Sequence, residues 1–452
     1  MWQENCHTYK LNCLHKLVLI ERLGGVDDMR RHFSKLASLL ILALLLSSVV
    51  GCKKSVNPLV PNDRPVDLVE ISQRTFNYFW EFANLETGLV LDKTENNKTV
   101  ASIAATGFGL AALPIGVEQG WITREQGEER ALRTLNSFAT GNVEGKNGFF
   151  MHWVNWATGG GVWDREVSSI DTALLIAGAI FAGEYFGGDI KTLADELYRK
   201  IDWQWMTNGG TTLSMGWKDG GFLNSRWGDR FDEGLLATLL AIGSPTYPIS
   251  PEAWHAINRS VTNTNKYSGA THIALRDETL FVYQFPLIYF DLRDTRDQYT
   301  DYFENAILAT KYNRDYTMNS SLYRIYGEVW GLSAEDMPFG GYKAYGARDG
   351  NNDRTIAPYA SIAALPFTPE EALASMKGMI NKFPKVYGEY GFHAGFNVTV
   401  SPQWYSPNYI GIDQGDILLM IANYQSGIVW EYFMKNSYVL EAVKLAGFDR
   451  YQ

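Results

Sequence analysis

Cysteine is almost absent from this chain of 452 residues, and so is any excess of positive charge. The three cysteines are Cys6, Cys13 and Cys52. The remainder of the chain therefore has no disulfide, no thiolate metal site and no cysteine nucleophile. Lys and Arg number 40 against 50 Asp and Glu, and the net charge is −10. An acidic chain without a basic stripe is a poor partner for phosphate backbones, so we expect no nucleic acid.

The sequence also lacks the short motifs of several enzyme classes. No Gly-x-Ser-x-Gly and no His-Glu-x-x-His occurs, which excludes a hydrolase elbow and a zinc-protease site of those kinds. The loop 349–353 resembles the start of a calcium loop, but Arg354 and Ala360 occupy the positions that require Gly and Glu. We therefore expect neither a metal ion nor a cofactor.

Residues 29–52 have the pattern of a bacterial lipoprotein signal. A basic stretch precedes the apolar residues 36–50, and Val-Val-Gly-Cys ends at Cys52. A membrane-spanning helix is the alternative, but it needs roughly 20 apolar residues. The pattern predicts a signal over 29–51 and an outer-membrane lipoprotein, facing the periplasm or the surface, with a tether over 52–65. Residues 1–28 do not fit the signal and are attributed to a start codon assigned too far upstream.

Six segments have the same sequence pattern. Each begins with Ser, Thr or Asp and continues with residues that would be small or apolar on nearly every face of a helix. They are 102–110, 169–177, 232–240, 277–283, 355–361 and 413–420. A helix that is apolar all round must be buried on all sides. Amphipathic helices are predicted between them, over 123–140, 190–205, 251–261, 299–314, 369–382 and 438–446. The alternation predicts a single all-α domain over 66–452, an (α/α)6 toroid of six inner and six outer helices.

Acidic residues recur at the starts of the predicted inner helices. If these helices are parallel, one end of the toroid collects Asp171, Asp232, Glu233, Asp277, Glu278, Asp413 and Asp416. Glycoside hydrolysis needs two carboxyl groups, one as acid and one as base or nucleophile. A helix N-terminus stabilises an anion, which suits a base, whereas the apolar and acidic neighbours of Glu233 suit an acid. The simpler interpretation, that acidic residues only cap helices, stays open here.

Four long loops precede inner helices and are rich in Gly, Trp, Tyr and Asn. They span 141–166, 207–230, 316–354 and 385–412. Flat rings stack on the C–H faces of sugars, although loop packing would use the same residues. The candidate substrate contacts are His152, Trp163, Glu166, Asp171, Trp217, Arg226, Trp227, Tyr345, Phe392 and Trp404.

Several segments together resemble the bacterial glycoamylase-like glycoside hydrolase family, which includes endo-β-1,2-glucanases and sophorose-releasing enzymes. They include Arg-Phe-Asp-Glu-Gly at 230–234 and Gly-Ile-Asp-Gln-Gly at 411–415, and the others lie at 166–178, 330–336, 355–360, 390–392 and 395–397. The resemblance runs from about residue 70 to 448 and excludes residues 253–276 and the loop at Asp349.

The resemblance implies an (α/α)6 fold and inverting hydrolysis of a neutral β-glucan, with β-1,2 linkages. It implies Glu233 as general acid and Asp413 as base. It also implies that Glu166 and Asp171 contact the substrate or tune the acid. Whether the chain cuts within a glucan or from its end stays open.

Three other functions are alternatives to a β-glucan hydrolase. A non-catalytic lipoprotein that captures glycan for an importer would use the loop aromatics but has no need of carboxylates. A polysaccharide lyase needs Arg or Lys to neutralise a uronic acid, which the acidic rim disfavours. A glucoamylase-type enzyme would act on α-glucans. We expect a monomer whose partners are an oligo- or polysaccharide and, through the lipid alone, a membrane.

Overall fold

The structure is a computed structural model that describes residues 64–94 and 99–451. The predicted upstream segment 1–28, the signal 29–51 and lipidated Cys52 lie outside the described residues. So does the predicted tether, apart from residues 64 and 65. From Arg64 onward the described chain forms one compact unit.

Helices dominate this unit, and short strands connect them. In chain order the helices are α1 (Leu68–Glu81), α2 (Ile103–Glu118), α3 (Arg124–Ala139), α4 (Ser169–Phe186), α5 (Gly188–Lys200), α6 (Trp203–Met206), α7 (Leu235–Ile242), α8 (Glu252–His255), α9 (Phe281–Tyr289), α10 (Tyr302–Met318), α11 (Pro358–Ile362), α12 (Pro369–Lys382), α13 (Gly411–Gln425), α14 (Ile428–Phe433) and α15 (Ser437–Leu445).

The strands have two or three residues each. They are β1 (Val100–Ser102), β2 (Gly145–Lys146), β3 (Phe149–Met151), β4 (Trp153–Asn155), β5 (Val167–Ser168), β6 (Gly216–Lys218), β7 (Gly221–Phe222), β8 (Thr262–Thr264), β9 (Thr271–Ile273), β10 (Thr295–Arg296), β11 (Ala334–Asp336), β12 (Tyr342–Ala344), β13 (Tyr387–Gly388), β14 (Gly391–Phe392), β15 (Phe396–Asn397), β16 (Trp404–Tyr405) and β17 (Asp449–Arg450).

Six helices form an inner ring in the order α2, α4, α7, α9, α11 and α13. Each packs on the next, α13 packs back on α2, and Gln284 of α9 donates a 2.8 Å hydrogen bond to the Ala360 carbonyl of α11. The residues predicted to be buried in this ring have no exposure: Ala173, Ala177, Leu236, Leu240, Ile362 and Leu418. The prediction of the inner helices is therefore confirmed. Among the described helices only α4 is long and apolar enough to span a membrane, and it is 89% buried inside the protein.

Glycine allows α2 and α4 to approach closely. A Cβ atom added to Gly178 of α4 would lie 1.9 Å from the Gly107 carbonyl oxygen of α2. No side chain fits in that space, so the two backbones pack directly against each other.

The outer layer consists of α1, α3, α5, α10, α12 and α15, each packed on inner helices. Helix α3 lies one residue inside the predicted 123–140 at each end, and its Thr123 forms a capping box with Gln126. The prediction of a helix over 251–261 is wrong, since α8 covers only Glu252–His255. The side chain of Asn258 accepts hydrogen bonds from the backbone and hydroxyl of Ser260, which competes with further helical turns.

The predicted capping role holds for Ser102, whose hydroxyl accepts the Ala105 N–H. It is wrong for three acidic residues. Helices α7 and α9 begin beyond Asp232 and Asp277, after intervening turns, and Asp413 lies inside the first turn of α13, where it caps nothing. These carboxylates are therefore available for contacts other than helix capping.

An antiparallel five-stranded sheet covers part of one end of the ring, in the order β2-β3-β5-β6-β7. Strand β3 forms a hairpin with β2. Strand β4 pairs instead with β1, which leads into α2. The turn between β3 and β4 thus carries His152 to the N-terminal ends of the inner helices.

Candidate active site

A cavity of about 500 Å³ opens at the N-terminal ends of the inner helices. It is lined by Asp92, Lys93, Ser102, His152, Trp153, Trp163, Ile170, Asp171, Leu174, Glu233, Phe281, Phe285, Asp336, Tyr342, Ile410 and Ile412. These residues include the starts of α2, α4, α9 and α13 and the turn before α7. The prediction that inner-helix N-termini meet at one end is confirmed for these five helices.

Glu233 lies on the cavity wall, in the turn before α7. Burial raises its pKa to about 7, and Asp171 adds to the increase while Arg230 opposes it. Burial and the charge of Glu233 likewise raise the pKa of Asp232, to about 8. A carboxyl group that keeps its proton near neutral pH can donate that proton to a leaving group.

Asp413 lies in the first turn of α13, beside the cavity. Its side chain is 2% exposed, and neither carboxylate oxygen has a hydrogen-bond partner within the described part of the chain. Burial raises its pKa above the ordinary value, and Asp336, Asp416 and Asp92 add to the increase. The neighbouring Ile410 and Ile412 line the cavity, while Asp413 itself does not.

A second carboxylate on the same side has the opposite surroundings. Asp336, at the end of β11, lines the cavity and accepts hydrogen bonds from Ser406 Oγ at 2.9 Å and Asn408 Nδ2 at 2.8 Å. Two donors stabilise a negative charge on this group. Its neighbour Glu335 is fully buried without a partner, and burial raises the pKa of Glu335 well above the ordinary value.

Tyr342 projects from β12 into the cavity. It is 47% exposed, and it lines the cavity between the carboxylates. Burial of the hydroxyl and the charges of Asp413, Asp92 and Asp336 raise its pKa far above the ordinary value, so the phenol stays protonated. It can therefore donate a hydrogen bond to a ligand or to a carboxylate.

An aromatic wall forms the opposite side. The ring of His152 stacks on Trp153 with centroids 3.4 Å apart, and Trp163 meets Trp153 edge-on at 5.0 Å. His152 Nε2 lies 3.4 Å from Asp171 Oδ1, and Asp171 also accepts a hydrogen bond from Ser168. Trp163 is 61% exposed, so its ring is available to a sugar face.

The structure thus brings together four of the candidate residues, Glu233, Asp171, His152 and Trp163. Glu166 lies directly behind them, where its carbonyl accepts the His152 N–H at 2.8 Å and burial raises its side-chain pKa. Six other candidates lie outside the cavity lining: Trp217, Arg226, Trp227, Tyr345, Phe392 and Trp404.

Three of these six are engaged within the protein. Phe392 has no exposure and packs against Tyr387 at 4.9 Å. Trp227 is 5% exposed and donates a 2.7 Å hydrogen bond to Ser169 Oγ, which fixes the start of α4. The guanidinium of Arg226 donates to backbone carbonyls of the preceding loop, including that of Thr207 at 2.6 Å.

The remaining three belong to the loop scaffold. Tyr345 is 4% exposed. Trp217 lies in β6 with the Lys146 ammonium 4.8 Å from its ring, and Trp404 pairs β16 with β15. Burial corrects the predicted substrate contact to a packing role for Phe392 and Tyr345, whereas for Trp217, Arg226, Trp227 and Trp404 it stays a prediction. Composition alone cannot distinguish a ring packed on protein from one facing a ligand.

Two acidic residues predicted at this end lie outside the lining of the cavity. Glu278 is 3% exposed and is bound by His272, Asn263 and Tyr283. Asp277 forms an ion pair of 2.9 Å with Arg348. Within residues 64–94 and 99–451, no group of three or more His, Cys, Asp or Glu is arranged to hold a metal ion.

Asp92 and Asp336 are the cavity carboxylates that sequence reasoning missed. Asp92 precedes no inner helix, so nothing local marks it. Asp336 ends the segment 330–336, whose family resemblance was the one available signal. Tyr342 and Trp153 belong to the aromatic residues of the long loops, and no sequence motif distinguishes them from the other aromatic residues there.

Several known proteins and one family model match this chain. The family model Glycoamylase matches residues 225–437. A crystal structure from Bacteroides uniformis, described as a "putative glucoamylase", is 30% identical with a TM-score of 0.80, over 86% of this chain and 99% of that one. The endo-β-1,2-glucanase of Chitinophaga pinensis is 28% identical with a TM-score of 0.75, over 84% and 97%.

An exo-β-1,2-glucooligosaccharide sophorohydrolase of Parabacteroides distasonis is 28% identical over 433 residues. The match covers 85% of this chain but 58% of the sophorohydrolase. The shared fold, the 30% identity and the 99% coverage of the Bacteroides structure show membership of one family. The chain belongs to the glycoamylase-like family and has the (α/α)6 toroid of that family.

Proposed function

We propose that this chain is an inverting glycoside hydrolase that cleaves a neutral β-1,2-linked glucan. The observation that carries the proposal is Glu233, a carboxyl group with a pKa of about 7 on the wall of a cavity that holds three further carboxylates. Proton donation to a glycosidic oxygen requires such an acid, and a glycan-binding protein has no use for it.

Glu233 is the proposed general acid and Asp413 the proposed general base. The carboxylate of Asp413 has no donor among the described residues, so both of its oxygens can accept a proton from water or from a substrate hydroxyl. Burial and the neighbouring carboxylates raise the pKa of Asp413, and its position in the first turn of α13 opposes that increase by favouring the anion that a base requires. In an inverting reaction the base activates water on the face opposite to the acid, and the anomeric centre inverts.

The composition of the cavity supports a neutral sugar as the substrate. Flat rings in the lining come from Trp153, Trp163 and Tyr342. The lining contains four acidic side chains and, in the described chain, one lysine, Lys93. A uronic acid would meet repulsion from these carboxylates, which disfavours a lyase. The named activities of the P. distasonis and C. pinensis relatives support β-1,2-glucose linkages.

Product analysis tests this proposal. The unaltered protein is incubated separately with β-1,2-glucan, β-1,3-glucan and α-1,4-glucan. The Glu233→Gln variant is assayed in the same way, and Glu196→Gln, on the exposed side of α5, is the matched control. We expect cleavage of β-1,2-glucan alone, lost in Glu233→Gln and kept in Glu196→Gln. The released saccharides decide between internal and end-wise cleavage. Binding of the glycan without cleavage by the unaltered protein would indicate a capture protein instead.

We also propose that the protein is an exported monomeric lipoprotein anchored through Cys52. The motif Val-Val-Gly-Cys after a basic and an apolar stretch supports this. Intact mass of the membrane-extracted protein should carry a diacylglyceryl group on Cys52, and Cys52→Ser should release the protein from membranes. A soluble protein that retains residues 1–51 would contradict the proposal.

A further inference from the structure

A second depression, of about 320 Å³, lies apart from the cavity and has no role in the chemistry above. It lies between the β8–β9 hairpin, helix α10 and the loop at Asp349. Its lining consists of Thr264, Asn265, Lys266, Tyr267, Tyr312, Tyr316, Ala347, Arg348 and Asp349. We call it the tyrosine groove. Apart from Tyr312 and Tyr316 of α10, its walls come from the two segments that lacked a family resemblance, 253–276 and the Asp349 loop.

The walls of the groove are held in place by buried polar contacts. Asn263 and His272 of the hairpin both bind Glu278, the latter at 3.2 Å. The Asn265 amide donates a 2.8 Å hydrogen bond to Asp315 of α10. The hairpin is thereby fixed to the chain before α9 and to α10, so the groove exists before any ligand binds.

The groove combines aromatic faces with nearly balanced charge. Tyr267 is 48% exposed, and the hydroxyl of Tyr316 donates to Asp349 at 2.7 Å, which leaves its ring face to the groove. Arg348 is paired with Asp277. Lys266 lies 5.0 Å from the Tyr267 ring. Flat rings with hydrogen-bonding groups and little net charge suit a neutral saccharide better than an anion.

A third depression adjoins the catalytic cavity and approaches the groove. A depression of about 220 Å³ is lined by Glu233 and Phe281, which also line the cavity, and by Asp277. Asp277 is the ion-pair partner of Arg348 in the groove, at 2.9 Å. The small depression therefore shares a wall with the cavity at Glu233, and the ion pair between Asp277 and Arg348 places it next to the tyrosine groove.

From this proximity and the exposed tyrosine rings we propose that the tyrosine groove is a distal binding site for the glucan chain, which would run from the cavity past Glu233 and over the Asp277–Arg348 ion pair onto Tyr267, Tyr312 and Tyr316. The inference rests on the proposed function and deepens it. A chain long enough to reach the groove gains contacts that a short oligosaccharide cannot make. The protein therefore prefers long glucans, and this preference belongs to the groove.

Calorimetry of glucan binding tests the proposal. The protein used is the Glu233→Gln variant, because it leaves the ligand uncleaved. The ligands are a β-1,2-linked trisaccharide and a β-1,2-glucan of about 20 units. Tyr267→Ala, added to Glu233→Gln, should weaken binding of the long glucan about tenfold, the loss of one aromatic contact, and leave the trisaccharide within about twofold. Tyr424→Ala, an exposed tyrosine at the far end of α13, is the matched control and should change neither.

The outcomes separate the two proposals. Unchanged long-glucan affinity in Tyr267→Ala, and in the double variant Tyr267→Ala/Tyr312→Ala shown by melting to be folded, would overturn the distal site alone. An equal loss for both ligands would also overturn it, because the groove would then act through the cavity. Failure of Glu233→Gln to bind either ligand would overturn the proposed function as well.

Discussion

Asn408 donates a 2.8 Å hydrogen bond to Asp336, whereas no donor of the described chain reaches the carboxylate of Asp413. The two acids lie close enough for the charge of Asp336 to raise the pKa of Asp413. One carboxylate is therefore held by protein donors and the other is left for a ligand. The difference fits the proposed roles, in which Asp336 positions and tunes the site and Asp413 is the general base.

Substitution of the two acids by amides separates these roles. Asp413→Asn should lower kcat about 10²- to 10⁴-fold, as expected for loss of a general base. Asp336→Asn should lower kcat less and shift the pH dependence, because removing its charge lowers the pKa of Asp413. The full pH–rate profile of each variant checks this. A larger loss of kcat in Asp336→Asn than in Asp413→Asn would reverse the assignment.

Turnover should fall with rising pH as the acid loses its proton. The pKa of Glu233 is raised to about 7, so hydrolysis of β-1,2-glucan should decline above about pH 7. A substrate with a good leaving group needs less protonation, so for it the decline should be weaker. The measurement is kcat from pH 5 to 9 on both substrates. An identical decline on both would show that Glu233 is not the proton donor.

The same group makes stability depend on pH. The pKa of Glu233 is about 7 in the folded protein and 4.5 at its ordinary value. As the pH rises, the unfolded chain therefore loses this proton at a lower pH than the folded protein does. The contribution is therefore favourable at low pH and lost between about pH 4.5 and 7. Glu233→Gln should raise the melting temperature relative to the unaltered protein at pH 8, and by less at pH 4.5. A difference independent of pH would mean that Glu233 is not buried as described.

The contact between α2 and α4 can be tested with one methyl group. Gly178→Ala places a Cβ 1.9 Å from the Gly107 carbonyl oxygen and should destabilise the protein by about 1–3 kcal/mol or more. Gly221→Ala, whose added Cβ meets nothing within 4 Å, is the control. Chemical denaturation of both variants measures the effect. Equal stabilities would contradict the direct packing of the two inner helices.

The inner ring could be predicted from sequence because apolarity on every face requires burial on every side. Helix α12 has the predicted bounds 369–382, since Pro369 begins it and Pro384 lies just beyond its end. Helix α8 could not be predicted, because the side chain of Asn258 ends it through local hydrogen bonds.

The candidate site was predictable only in part. Glu233 and Asp171 were found because they mark inner-helix starts. Asp92 comes to the cavity through long-range folding that leaves no local pattern. Phe392 and Tyr345 were misassigned because an aromatic residue in a loop packs on protein as readily as on sugar, and only tertiary contacts distinguish the two.

Proton NMR of the first products can show whether the protein hydrolyses β-1,2-glucan with inversion and with Glu233 as the acid. The protein is mixed with β-1,2-glucan, and the anomeric signals are followed before mutarotation, beside Glu233→Gln. The account predicts that the α-anomer of the new reducing end appears first, and that Glu233→Gln produces no signal on that time scale. Initial appearance of the β-anomer, or undiminished turnover by Glu233→Gln, would contradict it.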